Sequence, residues 1–158
     1  MAVDKNIVVE NARIGIRNFS GKATQFAPAG KRSFHWFMDR DLAEQLEQDG
    51  WNVRWMTPKN GDDTIPHLEV TVRYNDYPPK VVLVTNRGKT ILDEETVGTL
   101  DWAEIQNVDM IIRPYNYDFA GRSGTKAFLK TMYVTIVEDE LEAKYAEPYV
   151  RNDDVPFD

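Results

Sequence analysis

From Arg113, every second residue is either a cation or a ring: Arg113, Tyr115, Tyr117 and Phe119. After the turn at Arg122-Ser123-Gly124 the pattern resumes with Lys126, Phe128 and Lys130. A period of two places each row on one face of a β-strand. Two strands joined by a tight hairpin bring such rows side by side when the register matches. Interleaved rings and cations provide stacking on flat heteroaromatic groups and charge pairing with phosphates. Single-stranded nucleic acid can be held this way without its sequence being read, at roughly 1–3 kcal/mol per stacked base. The same rings, Tyr115, Tyr117 and Phe128, would also suit the interior of a β-barrel, where aromatics dominate. The pattern leaves both placements open.

Further bases stand where a groove could use them. Lys22, Lys31 and Arg32 flank Phe26 in the first long loop, Arg54, Arg73 and Lys80 project from strands, and Arg87 and Lys89 occupy a hairpin tip beside which Arg122 marks another. Singly, each reads as a solvated surface charge. Their recurrence at strand ends and loop tips makes them a candidate nucleic-acid-binding set.

Catalytic chemistry has no comparable signal. There is no Ser-His-Asp order, no phosphate-binding glycine loop and no His-x-x-x-His pair. Asp62-Asp63 and Glu94-Glu95 are adjacent, so on a strand they point to opposite faces and read as solvated turn residues. His35 and His67 are in no metal-ligand spacing, and cysteine is absent, which removes disulfides, thiolate sites and cysteine nucleophiles. No catalytic residue, metal or cofactor is expected.

The elements that must position these residues are mostly strands. Ile7 to Arg17 reads as one long strand kinked near Glu10-Asn11, and Ser33 to Met38 as the next. Asp39 or Asp41 caps a helix over 42–49, with Leu42 and Leu46 as its buried stripe and Gly50 as its stop. Trp51 to Met56 alternates as a strand, with Trp36, Trp51 and Trp55 directed to the core. A polar loop follows over 58–66, then strands at 68–74, 80–85, 90–92, 108–119 and 125–137, with turns at Asn75 to Pro79 and Asn86 to Lys89. A helical turn near 101–105 is anchored by Trp102, and Glu138 to Ala146 forms a short charged helix. The fold class is mainly β: an OB-like Greek-key barrel with one internal helix, a short C-terminal helix and an acidic tail. A β-sandwich is the alternative. At 158 residues, one domain over 1–147 and a flexible tail over 148–158 are expected.

The charge is unevenly spread. The chain holds 19 Lys+Arg against 26 Asp+Glu, a formal net charge of −7. Residues 138–158 contain eight acids and two bases, so six of the seven net negative charges lie there. A near-neutral body with an acidic end is compatible with a polyanion partner if the bases gather on one face. No targeting segment or membrane span is evident, and a cytoplasmic setting is expected.

Two resemblances give this pattern a context. The terminal Asp153-Asp154-Val155-Pro156-Phe157 resembles the acidic tip of bacterial single-stranded DNA-binding proteins, in which Asp-Asp-Ile-Pro-Phe closes the chain; Asp158 is an additional residue here. In that family the tip recruits replication and repair proteins, which implies a partner-binding role for Asp153 to Asp158. The body is similar to a family of phage-encoded single-stranded DNA-binding proteins. The stretches that carry the likeness are Ala12-Arg13-Ile14 through Asn18-Phe19-Ser20-Gly21-Lys22, Asp49 to Val53, Pro78 to Val81, Leu92 to Glu95, Ile112 to Tyr117, and Lys126 to Val134. The resemblance implies an OB-like fold, single-stranded DNA as partner and a role in phage DNA replication or recombination. The same hairpins would also serve a phage structural or adaptor protein, a strand-annealing recombinase or a homodimer.

Overall fold

The computed structural model describes residues 3–25, 27–56 and 64–138 of the chain. In chain order the elements are β1 (Ile7–Val9), β2 (Arg13–Asn18), β3 (Arg32–Phe37), α1 (Arg40–Asp49), β4 (Arg54–Met56), β5 (Ile65–Val72), β6 (Lys80–Thr85), β7 (Gly88–Leu92), a short 3₁₀ turn (Val97–Asp101), β8 (Ile105–Phe119) and β9 (Arg122–Ile136). Phe26, the loop over 57–63, the expected helix from residue 139 and the acidic tail lie outside the described residues. Among the described residues no helix is long and apolar enough to cross a membrane.

All strands belong to one sheet, with a main path β1-β8-β9-β5-β3-β2. It curls into an OB-like half-barrel. The curl brings the far edges back together: the Ala12 backbone N–H, at the start of β2, donates to the Val108 carbonyl of β8 at 2.7 Å. β9 organises the sheet. It pairs antiparallel with β8 along its length, and parallel with β5 at residues 127–128 and with β6 at residues 131–135. The two parallel pairings join segments far apart in sequence, so hairpin signals do not reveal them.

Alternation then sorts the side chains. Phe34 and Trp36 of β3, Val70 of β5, Ile112 of β8 and Leu129 and Met132 of β9 point inward into one apolar cluster. Their neighbours Ser33, His35, Thr71, Arg113 and Phe128 therefore share the outer face. Asp39 caps α1, its carboxylate accepting from the Leu42 N–H at 2.8 Å. Gly50 ends it at φ 113, a left-handed conformation that suits glycine. Ala43 and Leu46 are the helix residues that reach the core, whereas Leu42, expected beside Leu46, faces solvent. A ten-residue helix lying over the sheet buries a narrow stripe, and the cap at Asp39 sets its phase.

Four other expectations shift. The kink near Glu10-Asn11 is a complete break: Asn11 adopts φ 53, and β1 then pairs with β8 while β2 pairs with β3. Trp51 is buried as expected, but it is held by the helix C-cap and a bridge to Thr125, which leaves β4 with three residues. Trp55 packs outside the core, its indole N–H donating to Glu47 at 3.3 Å and the Arg40 guanidinium over its ring. The 3₁₀ turn precedes its expected place. Asp101 accepts the backbone N–H groups of Phe19 and Ser20, and Arg17 donates to the Leu100 and Ala103 carbonyls. Those four bonds pin the turn, so Trp102 is not its anchor and stands 78% exposed.

Candidate nucleic-acid interface

The β8–β9 hairpin is in the register that sets ring beside cation. Arg113 lies opposite Phe128, Tyr115 opposite Lys126, Tyr117 opposite Gly124 and Phe119 opposite Arg122. The pairing slips by one residue between Ile111 and Ile112, a bulge that leaves Lys130 without a cross-strand partner and turned to solvent. Directly opposed residues share a face, so Arg113 and Lys126 each lie beside rings. The Arg113 guanidinium lies 5.0 Å from the Phe128 centroid and the Lys126 ammonium 5.6 Å from that of Tyr117.

The rings have different exposures. Tyr115 is 42% exposed and stacks on Phe128 with centroids 4.7 Å apart and planes 5° from parallel. Phe128 is buried, yet it lies outside the apolar cluster of the core. It forms the floor beneath Tyr115 and Arg113, and Tyr115 offers the open ring. Tyr117 is fixed from below, its hydroxyl accepting from the Asn52 amide at 3.1 Å. The Asn52 carbonyl oxygen accepts from the Thr125 N–H at 3.1 Å, which joins β9 to the chain after α1. Position 124 is closely packed: a Cβ there would fall 2.5 Å from the Asn52 oxygen and 2.7 Å from the Tyr117 hydroxyl, so one of those side chains would have to shift.

Two hollows lie beside the Arg113–Phe128 pair. One, of about 240 Å³, is formed where β5 meets β9 and is lined by Lys31, Arg54, Arg73, Lys126 and Phe128, together with Glu69. The other, of about 550 Å³, opens at the β9 bulge and is lined by Tyr77, Lys80, Arg113 and Lys130, together with Asp76. Among the described residues seven cations thus face two carboxylates, and both carboxylates are engaged, Glu69 with Lys31 and Asp76 with Arg73, each at 3.6 Å. A near-neutral body has placed a strongly positive groove on one face. Arg113 joins the hollows, its guanidinium also lying 5.7 Å from the Tyr77 ring.

Two histidines border the groove. His35 and His67 stack with centroids 4.8 Å apart, and the Nδ1 atom of each is buried without a hydrogen-bond partner. Burial pulls the His35 pKa below its ordinary value, and the charges of His67, Arg54 and Lys31 add to this against the pull of Glu69. Burial also lowers that of His67; the Ile65 backbone and Glu69 oppose it, and Arg54 reinforces it. Both rings are therefore largely neutral at pH 7, and the Glu69 carboxylate already lies 3.9 Å from the His35 Nε2 atom.

Residues 2–157 match the family model described as "Putative phage ssDNA-binding domain". The chain belongs to this phage ssDNA-binding domain family. No curated protein matches it. Among solved structures, the single-stranded DNA-binding protein from bacteriophage Enc34 is similar at TM-score 0.53 and 12% identity, over 94% of this chain and 88% of that one. The same Enc34 protein in complex with ssDNA is similar at TM-score 0.51 and 13% identity, over 85% and 88% of the two chains. At such identities the likeness is one of fold.

Not all of the expected binding residues of this phage ssDNA-binding domain meet in the groove. Arg32 is turned away, its guanidinium 3.3 Å from Glu94 and stacked over Tyr74. Burial holds the Tyr74 hydroxyl up to about 12 despite that Arg32 charge. Lys22 lies over the exposed Trp102 ring at 4.9 Å, Arg87 is exposed at the β6–β7 tip, and Arg122 is exposed at the β8–β9 tip. Lys89 lies with Lys80 over Tyr133. Conversely, Tyr77 and Asn52 belong to the groove and were missed by the sequence reading. Tyr77 had a readable signal: a turn such as Asn75 to Pro79 has no need of a ring, and this ring is 75% exposed.

Proposed function

We propose that the chain is a non-catalytic single-stranded DNA-binding protein of phage DNA replication or recombination. The observation that carries the reading is the groove in which Tyr115 stacks on Phe128 among seven cations opposed by two paired carboxylates. Phosphates pair with Arg54, Lys80, Arg113, Lys126 and Lys130, the five lining cations not held by Glu69 or Asp76, while Lys31 and Arg73 border them, and bases stack on Tyr115 and on the exposed ring of Tyr77. Membership of a phage ssDNA-binding domain family supports the reading, as does the fold shared with an Enc34 protein solved with ssDNA. None of these contacts reads a base edge, so the binding is tolerant of sequence.

The acidic end has two roles in this reading. With no DNA bound, its carboxylates compete for the groove's cations. Once displaced, Asp153 to Phe157 recruits a replication or recombination protein through the ring of Phe157 and the flanking acids. Fluorescence titration with oligo-dT at low salt tests the central claim, and absence of binding refutes it. Removing residues 148–158 should raise DNA affinity, and an unchanged or lower affinity refutes the competition.

A further inference from the structure

The outer face continues past the groove along β9. β6 lies parallel to β9 with Lys80 opposite Thr131 and Val82 opposite Tyr133, and β7 sets Lys89 opposite Val84. Met132 and Val134 point into the core, so Tyr133 between them points outward. The ammonium groups of Lys80 and Lys89 lie 5.7 and 5.8 Å from the centroid of its ring. Two like charges drawn from different strands to one ring repel each other. Among the described residues neither lysine has a carboxylate within ion-pair distance. Asp109, the acid opposite Tyr133 on β8, accepts the Asn11 N–H at 2.9 Å. Two ammoniums at a half-buried ring, neither in an ion pair among the described residues, fit a ligand that carries a phosphate to lie between them and a flat face to meet the ring.

We propose that Tyr133, Lys80 and Lys89 form a second nucleotide-holding station for the same DNA strand that occupies the Tyr115 groove. The inference rests on the single-stranded DNA-binding function proposed above, and it gives that site a path. The strand leaves Tyr115, passes Arg113 and Tyr77, crosses the bulged Lys130 and reaches the β6–β7 hairpin. From Lys126, opposite Tyr115, to Tyr133 is seven residues of β9, or about 23 Å at ~3.3 Å per residue. At the stacked spacing of ~3.4 Å that length corresponds to about seven nucleotides, within the span of roughly 4–16 nucleotides that one OB fold covers. Lys80 lines the hollow beside Tyr77 and also reaches Tyr133, so the two stations share a cation.

The test is titration of the full chain and its variants with oligo-dT of about five and about twenty nucleotides, the first long enough for one station and the second for both. Tyr133→Ala should weaken binding of the longer oligomer about tenfold and leave the shorter within about twofold, while Tyr133→Phe retains both affinities. Lys89→Ala, a surface change outside the core, should make the salt dependence shallower by about 0.7 for the longer oligomer alone. If the wild type binds both oligomers and these variants weaken neither, or weaken both alike, the second station is refuted and the function stands. If the wild type binds neither, the function itself fails, and the station with it.

Discussion

Salt is the perturbation that most directly interrogates the groove. Seven cations line its two hollows and two carboxylates oppose them, leaving five positive charges for phosphates to neutralise. For single strands each neutralised phosphate contributes about −0.7 to the slope of log affinity against log salt, so the groove's own contribution is about −3.5, to which Lys89 adds about −0.7 with a long oligomer. Raising salt from about 50 to about 200 mM should then lower affinity about 10²-fold. The assay is fluorescence titration with oligo-dT at four or more salt concentrations. Two variants move the slope in opposite directions. Lys126→Ala removes a cation from the hollow and should make it shallower by about 0.7. Glu69→Gln releases Lys31 from its 3.6 Å ion pair and should steepen it by a similar amount, about 0.7. A wild-type slope shallower than about −1.5, or one that ignores both substitutions, would show that phosphates do not lie in this groove.

Other outcomes follow from single contacts. Tyr115→Ala removes the open ring of the stack and should lower oligo-dT affinity by about 1–3 kcal/mol, with little change in the thermal midpoint because the side chain is 42% exposed; a lost fold would assign it to the core. Gly124→Ala must displace the Asn52 amide or the Tyr117 hydroxyl and should cost about 1–3 kcal/mol in urea unfolding, so an unchanged midpoint would contradict the close packing. The histidine pair links stability to pH. Its folded pKa values lie below the ordinary 6.5, so the unfolded chain takes up protons first as pH falls. Stability present above 6.5 is therefore lost between 6.5 and the lowered folded values. The urea midpoint should drop between pH 7.5 and about 5.5 in the wild type, and less in His35→Leu.

What the sequence made legible was whatever obeys a short period or a local signal. The Arg113 to Phe119 and Lys126 to Phe128 rows were readable because alternation fixes a face and a tight turn fixes the partner strand. The Asp39 cap and Gly50 stop were readable because capping is chemistry among neighbours in sequence. Features set by distant segments were not. Phe128 sits under Tyr115 and against Thr71 because β5 joins β9 in parallel, and no periodicity encodes that meeting. The same pairing draws Lys31, Arg54 and Arg73 to Lys126, from four separate parts of the chain. Trp102 is not the anchor expected of it, because the turn it follows is held by hydrogen bonds of Asp101 and Arg17 between segments far apart in sequence.

The central position of β9 also governs when this protein can form during synthesis. β9 is the last described strand to be made, yet β8, β5 and β6 all take it as a hydrogen-bonding partner. Until residues 122–136 have left the ribosome, β5 and β6 present open edges with apolar faces, the condition that promotes association between nascent chains. β9 is thus the last of the described strands available to the sheet, and it lies between partners already translated. A chain halted near residue 120 would lack the strand along which both hollows are built, so neither part of the groove could form before the fold closes around β9.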